Sequence, residues 1–440
     1  MIRDDQIPEL VSYRTYESKI SLDQAGDLSE SVVFRCNEAA PVHGWFRFKE
    51  GFSADLLLQL LTKFDYPRNR ELRILDPFCG VGTTLLSAQL LDAFVINAVG
   101  IERNPFIGFV AQAKLNWPQL RPNTFLAEAA DALESAAQSS ELPVLSSIRE
   151  GRCISKYMAG RLLGIHNALK SRTANYQFLR LGIGAAIEPL SRIRRDGRAL
   201  RIVSKPYQRA DQVLDAIWRR MHQDALVLKS RRQKGLNQST VFVGDGRNPA
   251  ESGIEKSSID LLVTSPPYPN NIDYSEVYKL ELWLLGFVKS SSDFLALRRS
   301  TFRSHPTYGR SSLASPEFMH ELQSGKLRET LGRLLERIER TEFEWRARLL
   351  EAYFSDCWDA LVNYNMILRP GGRAVFVVGN SLHGTDVPAL VATDLILAKI
   401  GECLGYQVES VTVARSLKRR LSGNHFLRES LVVLRKSNAN

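Results

Sequence analysis

Apolar and polar positions alternate along this chain in two distinct rhythms. From about Ser53 to Lys63, Leu56, Leu57, Leu60 and Leu61 recur at helical spacing, and Ser53 stands where an N-cap is expected. Leu72-Arg73-Ile74-Leu75-Asp76 is a short strand-like run that breaks into Pro-Phe-Cys-Gly-Val-Gly and restarts as a helix at Thr83. Further strands are expected over 96–101, ending at Glu102, over 240–243, ending at Asp245, and over 259–264, running into Ser-Pro-Pro-Tyr. Another covers 373–378, after a Pro-Gly-Gly that stops a helix and turns the chain. Runs 406–413 and 430–434 suit a closing hairpin. Strands separated by helical stretches predict a parallel, doubly wound α/β sheet.

Two stretches interrupt this alternation. The second and third strands lie about 140 residues apart, far more than a normal connection needs, so most of 103–239 is expected to be an inserted, largely helical subdomain. A Ser/Arg-rich stretch over about 289–326 reads as a loop, followed by one amphipathic helix over 327–350. The resulting divisions are a polar, irregular arm (1–40), a first core segment (41–118), a basic insertion (119–239) and a second core segment (240–440). The arm has the composition of a mobile segment or lid.

Composition adds little until charge is located. The chain has 440 residues, 44% hydrophobic, with a net charge of +10. No apolar run approaches the roughly 20 residues that span a bilayer, and no leader-like start is visible, so a cytoplasmic protein without a membrane partner is expected. The five cysteines are far apart, with no zinc-ligand spacing, and no metal is expected. Positive charge concentrates in the insertion, notably at Arg192, Arg194, Arg195, Arg198 and Arg201, where it suits an anionic polymer or, alternatively, a merely solvated basic face.

Three sites carry chemistry. A strand ending in Asp76 before a glycine turn and a helix lets a ligand approach the backbone closely. Glu102, at the end of the next strand, is placed to bind paired ribose hydroxyls. Thr264-Ser265-Pro266-Pro267-Tyr268 ends a later strand, and its two prolines make a stiff loop.

Asp76-Pro-Phe-Cys-Gly-Val-Gly-Thr-Thr84 resembles motif I, and Ser265 to Tyr268 resembles motif IV, of the S-adenosylmethionine-dependent amino-methyltransferases, which methylate exocyclic amines of nucleobases. His43 to Ser53 is similar to their motif X. The resemblance covers about 41–118 and 240–437 and implies a Rossmann-like class I methyltransferase fold with a seven-stranded, mostly parallel sheet. It implies S-adenosylmethionine as cofactor, held by Asp76, Phe78, the Gly80 to Gly82 backbone, Thr83 and Ser53, with Glu102 on the ribose and Asp245 on the adenine amine. It also implies that the Ser265 side chain and the Pro266 carbonyl accept the hydrogens of the target amine, with Pro267 stiffening the turn and Tyr268 stacked on a flipped base.

Ser in the first position of motif IV is associated in this family mainly with cytosine N4; adenine N6 and an RNA base remain the alternatives, as does a nucleic-acid-binding protein that has lost catalysis. Asn270, Asn271, Asp273 and Tyr274 follow at the expected border of the base pocket, Asp273 and Tyr274 foremost, although each suits a polar helix cap equally well. Arg192, Arg194, Arg195 and Arg198 are the candidate DNA contacts, with the 298–310 stretch and Lys418-Arg419-Arg420 behind them. Double-stranded DNA is the expected partner, and a cognate restriction endonuclease a candidate one.

Overall fold

The computed structural model describes residues 7–24, 28–49, 51–195, 200–231, 237–269, 273–305, 314–341, 344–383, 388–417 and 426–438. Its main sheet contains β1 (Leu22–Gln24), β2 (Glu71–Asp76), β3 (Val95–Glu102), β4 (Gln238–Val243), β5 (Ile259–Thr264), β6 (Leu368–Gly379), β7 (Tyr406–Ser416) and β8 (Arg428–Lys436). They lie in the order β1-β7-β8-β6-β5-β2-β3-β4. Strands β2 to β6 run parallel, and β8 is antiparallel to both its neighbours. This is the expected Rossmann-like, mostly parallel sheet of seven strands, extended by one.

The extra strand comes from the arm. Residues 22–24 pair in parallel with Val411 to Val413 of β7, and the preceding helix α1 (Glu9–Glu17) buries Tyr13, whose hydroxyl donates to the Leu390 carbonyl at 3.0 Å. The described part of the arm is therefore docked rather than loose. Its polar residues hid this because its partners, such as Arg428 bonded to Glu17, are remote in sequence.

Alternation within strands divides the apolar residues between two cores. Leu261, Val263, Val375, Val377, Leu431 and Val433 face one side, while Leu262, Ala374, Phe376, Val378, Val432 and Leu434 face the other. The first core is covered by α2 (Asp55–Lys63), α3 (Thr83–Leu90), α4 (Pro105–Leu115) and the insertion; the second by α1, helix Glu344–Ile367 and helix Thr393–Cys403. Every residue of β5 is buried, as a strand covered on both faces requires.

The insertion is helical as expected, with helices at Pro122–Ser135, Lys156–Ala168, Tyr176–Leu190 and Ala210–Arg231. It also forms a two-stranded antiparallel ribbon, Ile193–Arg195 against Leu200–Ile202. Phe125, Leu179 and Trp218 join the same core as Leu72 and Ile74, so the insertion is continuous with the sheet layer rather than a separate globule.

Several boundaries differ from the sequence reading. Helix α2 begins at Asp55 with Ala54 as its cap. Residues 368–372 do end a helix, yet they enter β6 as a bulge in which Gly371 takes φ 73°, conformational space open to glycine. The 289–326 stretch contains helices Ser291–Ser300 and Pro316–Gln323. The single helix expected over 327–350 is instead a π-turn, Arg328–Gly332, helix Arg333–Glu339, and then the separate helix Glu344–Ile367. No helix among the described residues is long and apolar enough to cross a membrane.

Candidate active site

Strand order reverses between β2 and β5, which are direct neighbours paired through Ile74 with Leu261 and Leu75 with Leu262. Ligand crevices of doubly wound sheets form at the carboxyl ends of such strands. Here those ends are Asp76 and Thr264. Thr264 Oγ1 donates to Asp76 Oδ1 at 2.8 Å, Thr84 Oγ1 donates to Oδ2 at 2.6 Å, and the Phe78 amide donates to Oδ1 at 3.3 Å. Burial pushes the Asp76 carboxyl up to about 6 in spite of these three donors. One carboxylate thus ties the glycine loop to the strand that delivers the Ser-Pro-Pro-Tyr turn.

The loop itself requires its glycines. Gly80 has φ 51° and lies under Phe48, whose ring would be 2.9 Å from a Cβ; Gly82 has φ 78° and caps α3, with Ala111 3.1 Å from where a Cβ would stand. Glu102 Oε2 accepts from the Gly80 amide at 3.1 Å, and Oε1 accepts from the Asn104 amide at 2.8 Å. Asn104 in turn caps α4. Burial pushes Glu102 up to about 7.

Between these loops opens a cleft of about 950 Å³, its solvent-open mouth included. Asp76, Phe78, Gly80, Thr83, Glu102, Asp245, Ser265, Pro267 and Tyr274 all line it. So do Phe48, Arg103, Ile107, Tyr278, Thr301 and Phe302, which the sequence reading did not single out. Among the described lining residues are three carboxylates and one guanidinium; Asp245 is already paired with Arg247, which leaves Asp76 and Glu102, and Arg103 is itself bonded to Ser300. Aromatic and aliphatic side chains supply the rest of the wall. Such a site suits a cationic, phosphate-free nucleoside and is poorly equipped for a pyrophosphate.

The Ser-Pro-Pro-Tyr turn borders this cleft. Ser265 Oγ donates to Tyr268 Oη at 3.3 Å, Tyr268 Oη donates to Glu429 Oε1 at 2.8 Å, and Arg415 Nε donates to Glu429 Oε2 at 2.6 Å. The Tyr268 ring packs on Gly379, where a Cβ would lie 3.0 Å from Cε2. Burial and the Glu429 charge hold its phenol well above the ordinary range. Ser265 and Pro267 line the cleft, whereas Pro266 and Tyr268 do not; the Tyr268 ring, expected to stack on a base, packs against Gly379 instead.

Other expected residues are placed differently. Ser53 is buried and outside the lining, with its Oγ accepting from the Asp55 amide at 3.4 Å; Gly51 and Phe52 reach the cleft in its place. Asp245 lines the cleft, but both its oxygens accept from Arg247, whose guanidinium outweighs burial and holds the carboxyl below the usual range. Asp273 does not border the cleft: Oδ1 caps helix Tyr274–Val277, and Oδ2 accepts from Arg298 Nε at 2.7 Å. Its helix-cap alternative is the one realised. Asn270, Asn271, Arg198 and Lys418 to Arg420 lie outside the described residues.

Arg195 is a plain correction. It is 5% exposed, paired with Glu188 and with the fully buried Glu281, and its guanidinium lies 4.5 Å from the Tyr278 ring centroid, so it does not face nucleic acid. Strand alternation explains this. Ile193 and Arg195 turn inward, whereas Arg192 and Arg194 are exposed. Of the residues missed, Phe48 lies inside the stretch resembling motif X and was within reach; Phe302 and Glu429 arrive from distant segments without a local signal.

No protein-family model matches the chain. The type II methyltransferase M.AvaI of Nostoc sp. is 28% identical over 459 aligned residues, covering 96% of this chain and 92% of that protein. Over almost its full length this chain is similar to type II methyltransferases. M.AvaI of Anabaena variabilis matches equally well, and M.BsoBI of Geobacillus stearothermophilus is 25% identical, covering 92% of this chain and 86% of its own. Among solved structures, the rRNA methyltransferase aviRa of Streptomyces viridochromogenes overlaps 88% of this chain at 10% identity with a TM-score of 0.30, too low to bear on fold or function.

Proposed function

We propose that the chain is an S-adenosylmethionine-dependent DNA methyltransferase acting on an exocyclic base amine, cytosine N4 first and adenine N6 second. One observation carries the reading: Ser265 and Pro267 share a single cleft with Asp76, Gly80 and Glu102. The full-length similarity to type II methyltransferases supports DNA as substrate and a restriction endonuclease as companion.

The cleft fits the cofactor chemically. A sulfonium and an ammonium are cations, and Asp76 and Glu102, raised by burial and without a compensating cation among the described residues, gain an opposite charge when such a ligand enters. Glu102 would accept from ribose hydroxyls, and Phe48, Phe78 and Phe302 would flank the apolar parts. When bound, S-adenosylmethionine supplies an electrophilic methyl group.

The chain's own residues prepare the nucleophile. An exocyclic amine is weak because its lone pair is delocalised into the ring. Ser265 Oγ and the adjacent Pro266 carbonyl would accept its hydrogens and favour a pyramidal nitrogen, and the prolines keep both acceptors fixed. Ser is neutral, and no base is needed before transfer, because the methylated product sheds its proton readily. The exposed Arg192 and Arg194 of the insertion ribbon would contact phosphates.

Labelled methyl transfer to DNA and to total RNA, with calorimetric titration of S-adenosylmethionine, tests the reading. Label in DNA is expected. Label in RNA alone would move the substrate, and absent cofactor binding would remove the enzyme.

A further inference from the structure

The Ser265 hydroxyl can donate as well as accept, and the two polarities read a nucleobase differently. On cytosine or adenine the amine donates, while the adjoining ring nitrogen accepts. A serine free to rotate would serve either. Ser265 is not free, because its proton is already spoken for.

The chain of contacts runs in one direction. Glu429, on β8, is a carboxylate held on one oxygen by Arg415 Nε at 2.6 Å, and a guanidinium can only donate. Its other oxygen accepts from Tyr268 Oη at 2.8 Å. That contact uses the only proton the phenol has. The 3.3 Å contact between Tyr268 Oη and Ser265 Oγ can then be made only by the serine proton. What remains of Ser265 toward the cleft it lines is lone pairs.

We infer that Glu429 is a positioning residue that sets the direction of this hydrogen-bond chain and commits the Ser265 oxygen to accepting, selecting an amine edge over a ring-nitrogen or carbonyl edge. This rests on the proposed reading, in which Ser265 meets the base. The burial that keeps Tyr268 a neutral phenol supports it, since a phenolate would have no proton to pass on. Gly379 contributes by admitting the Tyr268 ring at a distance where a Cβ would collide.

The test uses the full chain, unmethylated genomic DNA and single-turnover methyl transfer, with calorimetry for S-adenosylmethionine. Glu429→Gln keeps the shape but offers an amide that can donate to Tyr268 and reverse the chain. Tyr268→Phe keeps the ring and cuts the chain. Each should slow transfer about tenfold or more while cofactor affinity stays within about threefold, and the double variant should be no slower than the slower single, because both act through one path. Tyr268→Phe guards against the case in which Glu429→Gln merely unfolds the β7–β8 edge. Parental rates in both single variants, or effects that multiply in the double, overturn the inference. Ser265→Ala separates the two levels. If it transfers at the parental rate, the reading beneath fails; if it is inactive while Glu429→Gln and Tyr268→Phe are unimpaired, only the role of Glu429 fails.

Discussion

The β2–β5 crevice and the insertion ribbon place charge by opposite rules. In the crevice, Asp76 and Glu102 are acids without a cation partner among the described residues, each raised by burial and each braced by backbone or hydroxyl donors. In the ribbon, neighbouring arginines divide by strand parity: Arg192 and Arg194 are exposed, and Arg195 is locked between Glu188 and Glu281. The crevice stores unbalanced charge where the proposed reading seats a small cation. The ribbon balances its buried charge internally and leaves the rest exposed, where the proposed reading puts a large anion. A residue's charge therefore says little until its environment is known.

Substitutions can break this contrast, and the largest effect belongs to the crevice. Asp76→Ala removes both the cation's counter-charge and the tie to Thr84 and Thr264, so S-adenosylmethionine affinity should fall at least about a hundredfold by calorimetry. Tyr268→Ala should lower turnover about a hundredfold or more with cofactor affinity nearly unchanged, as loss of a positioned polar group in a closed site does.

In the ribbon, Arg195→Ala strands Glu281 in a site it cannot leave. It should cost about 3–5 kcal/mol in urea unfolding, against under about 0.5 kcal/mol for Arg194→Ala. Arg194→Ala should instead weaken DNA binding at low salt and reduce the salt slope by about 1. The smallest effect is on pH. Glu102 loses its charge as pH falls through about 7, so cofactor affinity should decline by at most about tenfold per unit below that point, and Glu102→Gln should flatten the profile. A flat profile in the parent would mean that the ionised carboxylate is not what the ligand meets.

The parts of this molecule legible in sequence were those whose causes are local. Ile259–Thr264 could be bounded from an apolar run interrupted only by Asp260, and the glycine loop from the need for positive φ at Gly80 and Gly82. Joining them into one cleft needed only strand adjacency. What stayed hidden depends on contacts across the chain: the arm's strand on β7, Phe302 closing the cleft wall, and Glu429 behind Tyr268. Arg195 was misread although the signal was present, since Ile193 beside it already marked the inward face of a two-residue alternation. For Asp273 the sequence offers a pocket residue and a helix cap equally, and its position ahead of a helix makes it the cap.

Mass spectrometry of nucleosides from DNA methylated by the purified chain tests the central claim most directly, with Ser265→Ala alongside. The account predicts a methylated exocyclic amine, N4-methylcytosine before N6-methyladenine, that disappears in the variant. A methyl group on ring carbon, or an amine product undiminished in Ser265→Ala, would contradict it.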